Sequence, residues 1–66
     1  MTKVDQKRAQ FLARDMYRAR TVPAPYSDGD LERERIFRKL YSETGREYII
    51  REAERLLEHM LEAYIP

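Results

Sequence analysis

The chain has few residues with which to perform chemistry. His59 is the single histidine among 66 residues, and there is no cysteine. His59 and Glu62 stand one helical turn apart, a spacing that puts two ligands on one face. A closed structural zinc site takes four ligands and a catalytic one three, and no other His and no Cys can complete the set. General acid–base work by His59 would need a dry pocket around it, whereas Arg55, Glu58 and Glu62 surround it with a polar, solvated face. The two glycines, Gly29 and Gly45, are too isolated to cradle a phosphate, and no serine sits in a nucleophile motif. The expectation is a non-enzymatic protein with no metal and no cofactor.

Charge says more. The net charge is only +1, but residues 1–20 hold six basic side chains against two acidic ones, and residues 45–66 hold three against five. At about 100° per residue, Lys3, Lys7, Arg14 and Arg18 fall on one stripe of a helix, opposite its apolar side. Such a stripe could follow a row of phosphates, each contact releasing counterions, or it could simply be a solvated face. Residues 31–64 have the loose spacing of a helix-turn-helix, but the second helix is net acidic and would turn glutamates toward phosphate. Any nucleic acid is therefore expected on the stripe of the first helix.

These residues must be positioned by helices. The spacing predicts an all-α chain of two or three helices, over about residues 3–20, 28–43 and 46–64, in a single domain spanning 1–66. Thr2 followed by Asp5 reads as a short capping box, and Val4, Ala9, Phe11, Leu12, Met16 and Ala19 share one apolar arc. Arg8 and Asp15 intrude on that arc, where they either snorkel to water or pair across a subunit interface. Pro23 and Pro25 forbid a helix through the connector 21–27. Beyond it Ser27 is a cap, with Tyr26 and Leu31 at the N′ and N4 places of a hydrophobic staple. Near Gly45 either Gly45 ends the second helix in a left-handed conformation, or Thr44 caps a third, or the helix runs on.

The last segment has the cleanest pattern. Ile49, Ile50, Ala53, Leu56, Leu57, Met60, Leu61 and Tyr64 occupy an arc of about 140°, wider than a two-stranded coiled-coil seam, so this helix should touch at least two neighbours. A chain this short buries only about 60 % of its surface, and completion of a helical hairpin or bundle by homodimerisation is expected. Ile49, Ile50, Leu57, Met60, Leu61 and Tyr64 are the candidate protein interface. Function is then expected on surfaces: a small adaptor, inhibitor or regulatory protein-interaction module acting as a homodimer with a protein partner, or alternatively a nucleic-acid-binding dimer using Lys3, Lys7, Arg14 and Arg18. The lack of cysteine fits a reducing compartment. The segment MTKVDQKRAQ lacks the apolar core of a signal peptide, and no run approaches about 18 apolar residues. A cytoplasmic protein that does not enter membranes is expected.

Overall fold

A computed structural model describes residues 1–64, and the last two residues of the expected 1–66 domain lie outside the described residues. Three helices form, α1 (Lys3–Thr21), α2 (Asp28–Glu43) and α3 (Glu47–Glu62), with no strand among the described residues. No described helix is long and apolar enough to cross a membrane.

Local sequence sets each boundary. Thr2 is extended, and its Oγ1 accepts the Asp5 N–H at 3.1 Å, satisfying one of the free donors of the first turn of α1. Asp5 does not complete the box. Its carboxylate turns to Arg8 and to Tyr48 of α3. At the far end Val22 is extended, and Pro23 prevents continuation. Gly45 has φ of +72°, its N–H reaches the Ser42 carbonyl at 3.3 Å, and the Arg46 N–H reaches that of Tyr41 at 2.7 Å. That pair of bonds is a Schellman ending, so Gly45 terminates α2 and Arg46, not Thr44, occupies the N-cap of α3.

The staple predicted for α2 does not form. Ser27 is the N-cap residue but makes no side-chain capping bond, and Tyr26 and Leu31 remain 79 % and 57 % exposed. Carboxylates close to the α2 start do the anchoring instead, as described below.

The core lies between α1 and α3. Ala9, Leu12, Ala13 and Met16 are almost fully enclosed, at the i, i+3, i+4, i+7 spacing of one face, and they meet Ile49, Ala53 and Leu57. Alanines at 9, 13 and 53 remove side-chain bulk on both sides of this seam, which lets the two helices approach closely. The buried stripe is therefore rotated from the predicted arc: Ala13 enters it, and Val4 and Phe11 leave it to become exposed. Ile50, Leu56 and Met60 are half-buried against this core, and Tyr17 meets Tyr64 edge-on with ring centres 6.1 Å apart.

Helix α2 attaches differently. Its three buried residues are Asp30, Glu34 and Tyr41, so two of its three anchors are carboxylates. Arg20 of α1 clamps Glu34 with two bonds of 2.9 and 3.2 Å, and Arg38 adds a third at 2.9 Å while reaching Glu54 of α3 at 3.6 Å. This Arg–Glu–Arg–Glu chain links all three helices. Arg18 and Arg33 share Asp30, and Arg33 also holds Asp15 at 3.2 Å. Every buried side-chain polar atom among the described residues is thereby partnered, as interiors require. Arg8 and Asp15, left open between water and a subunit interface, pair inside the chain.

Candidate protein-docking groove

Long arginines meeting carboxylates at the α1–α2 junction leave the apolar flank of α1 uncovered. A groove of about 840 Å³ runs between the two helices. Phe11, 62 % exposed, stands on its α1 side, and Phe37 and Tyr41 form its floor from α2, their rings 5.8 Å apart. A smaller depression of about 270 Å³ shares Arg8, Phe37 and Tyr41 with it and continues toward Leu40, Thr44 and Arg46. The two together follow α2 from Gly29 to beyond Thr44. Sixteen helical residues at about 1.5 Å each make this about 24 Å long.

Four arginines line the groove against two aspartates. Asp15 and Asp30 line it, but their side chains are only 13 % and 6 % exposed, enclosed by Arg33 and Arg18. The guanidinium-bearing side chains are about half open: 44 % for Arg8 and Arg18, 53 % for Arg33. The carboxylate of Asp15 and then that of Asp30 hold the Arg33 guanidinium above its ordinary value, which fixes it as a cation. Arg14 stands on the same rim with no carboxylate in ion-pair range among the described residues. Burial raises the Tyr41 hydroxyl above its usual value, so the floor stays neutral. An incoming molecule meets aromatic carbon flanked by guanidinium.

The predicted interface on α3 divides. Ile49 and Leu57 are buried within the chain itself, against α1, and Ile50 and Met60 are half-buried there. Leu61 and Tyr64 keep an exposed edge at the end of α3. The predicted cation stripe divides too: Lys3, Lys7 and Arg14 have no carboxylate in range among the described residues, whereas Arg18 is bound to Asp30. His59 lies 3.9 Å from Glu62 with both side chains about two-thirds exposed, and no group of three potential metal ligands occurs among the described residues.

Phe11, which periodicity placed in the apolar arc of α1, and Phe37 and Tyr41 of α2 were not among the candidate site residues read from the sequence. Their signal was the intrusion of Arg8 and Asp15 beside Phe11, an apolar arc interrupted by charge. The chain matches no family model, no curated protein and no solved structure.

Proposed function

We propose that this chain is a small protein-interaction module that works through the α1–α2 groove. The observation that carries the reading is Phe11: an aromatic residue left 62 % exposed beside a recessed aromatic floor, at the mouth of a groove as long as a short helix. Large exposed apolar side chains in one concave strip mark binding sites rather than scattered surface residues. Val4, Ile36 and Leu40 extend the exposed apolar surface along the same two helices.

Selection of random 16-residue peptides on the immobilised chain, followed by amide chemical-shift mapping, tests this. Binders that shift the resonances of Phe11, Phe37 and Leu40 and are lost in Phe11→Asp support the groove. Binders that map to the outer face of α3, or none at all, refute it.

A second reading rests on Lys3, Lys7 and Arg14, the three members of the α1 stripe that are free to meet phosphate. A single-stranded oligonucleotide bound at about 0.15 M salt, with affinity falling steeply as salt rises, would favour that reading; about three phosphate contacts predict a log–log slope near −2. Lys3→Glu with Lys7→Glu should abolish such binding.

A further inference from the structure

We infer that the occupant of the α1–α2 groove is an acidic amphipathic helix supplied by a different protein, an inference that rests on the groove being the docking surface. Three observations select that chemistry.

The first is charge. The carboxylates of the groove are already enclosed by their arginines, so the exposed electrostatic surface is cationic along both flanks, with Arg14 unpaired. Apolar side chains entering between Phe11 and Phe37 therefore need acidic neighbours on either side, and like charge there is repelled.

The second is backbone. The groove is walled by two helices, and the described residues hold no strand whose edge an extended peptide could join. An extended occupant would bring unpaired N–H and C=O groups against aromatic carbon, at a desolvation cost for each. A helix brings its backbone already bonded and offers an apolar seam at i, i+3, i+4 and i+7. The length of about 24 Å takes about four turns of such a helix. Nucleic acid fits less well, because stacking of successive bases needs a run of open rings, and of the four aromatic residues lining the groove Tyr41 is buried and Phe37 half-buried, leaving only Phe11 and Tyr26 open.

The third is that the chain cannot readily fill the groove with itself. A twofold arrangement of groove on groove would set Arg14 and Arg18 of one copy against those of the other. A head-to-tail arrangement would need an acidic helix with an apolar seam. The outward side of α3, with Arg51, Glu54, Arg55, Glu58 and Glu62, is polar apart from the exposed edge of Leu61 and Tyr64 at its end, too short for a four-turn seam, and its residues Ile49, Ala53 and Leu57 are enclosed by α1.

Two synthetic 16-residue helices with the same Leu/Phe seam, one flanked by Glu and one by Lys, provide the test, with fluorescence anisotropy on the full chain. The Glu peptide is expected to bind at least about tenfold more tightly at 0.05 M salt, with the preference shrinking at 0.5 M as exposed charges are screened. Phe11→Ala should weaken it about tenfold, as for an aromatic anchor, and Arg14→Glu should reduce the preference between the two peptides. Phe11 is mostly exposed, so circular dichroism should show Phe11→Ala folded as before. Equal, Phe11-dependent binding of both peptides overturns the acidic occupant and leaves the groove standing as a docking site. Binding that ignores Phe11 overturns both. A concentration-dependent doubling of mass by light scattering that Phe11→Ala abolishes would assign the groove to a second copy and also overturn the inference.

Discussion

Glu34→Gln should destabilise this protein by about 2 kcal/mol. Glu34 is 6 % exposed and receives three charge-assisted hydrogen bonds, two from Arg20 and one from Arg38. Glutamine keeps the volume, but it removes the charge and turns an amide N–H₂ toward one of two guanidinium groups. A hydrogen bond to a charged group contributes about 1.5–3 kcal/mol, which would suggest a larger loss. Arg20 and Arg38 are, however, 41 % and 34 % exposed in their side chains, so both can turn partly to water, and the figure must be discounted toward exposed-pair values. Against a total stability of about 3–10 kcal/mol for 66 residues, a 2 kcal/mol loss lowers Tm by about 8–16 °C. Burial pushes the Glu34 carboxyl up, but the hydrogen bonds and charges of Arg20 and Arg38 outweigh it and hold the group below its ordinary value of 4.5. A depressed folded value means that this stabilisation is complete above pH 4.5 and is lost as the pH falls through the folded value. Urea denaturation followed by circular dichroism at pH 7 and pH 3 measures both effects. A variant within about 0.5 kcal/mol of the parent at pH 7, the ordinary range for surface changes, would refute the claim that this carboxylate ties the three helices.

The two glycines should respond with opposite sign. Gly45→Ala forces an L side chain to φ of +72° and should cost about 1–2 kcal/mol although nothing lies within 4 Å of the new Cβ; Gly29→Ala, whose Cβ would meet only the Arg33 side chain at an ordinary 3.5 Å, should stabilise by up to about 1 kcal/mol. Chemical denaturation of both variants decides it, and equal effects would sink the Schellman assignment. Tyr48→Phe removes the hydroxyl that donates to Asp5 at 2.8 Å, the foremost cause holding the Asp5 carboxyl below its ordinary value of 3.8. The loss of stability as pH falls through that depressed value should then become shallower, and an unchanged acid limb in a denaturation series would show that Arg8 and Thr2 hold the carboxylate without Tyr48.

The features that could be read from the sequence are those set by residues within one turn of each other. Thr2 as a cap and the Ile49–Ala53–Leu57 stripe obey i,i+3 or i,i+4 rules that need no knowledge of a neighbour, Gly45 as an ending was one of the alternatives such local rules left open, and the approximate helix ranges followed from them. The orientation of α1 and the groove were not accessible in this way. A helical wheel weighs each residue by its own polarity, so it placed Val4 and Phe11 within the apolar arc and gave no reason to bury Asp30 and Glu34 of α2. Both carboxylates are buried because Arg18 and Arg20 reach them from 12 and 14 residues away in the chain, a pairing invisible until the helices are in register.

The same pairing accounts for the exposed flank. Where α3 approaches α1 through alanines, apolar atoms meet and water is excluded. Where α2 approaches through arginine and carboxylate, each pair bridges the gap with long side chains whose charged ends retain contact with water. A seam of that kind holds the helices in register without closing over Phe11, and truncating it with small apolar residues would draw α2 inward. Asp30→Ala combined with Arg18→Ala, a pair that lines the groove, should therefore narrow it as well as alter stability, which amide chemical shifts of Phe11 and Phe37 would report. The ion pairs that position α2 are, in this sense, what keeps the groove open, and the burial of charge that periodicity could not foresee and the exposure of the aromatic ring have one physical origin.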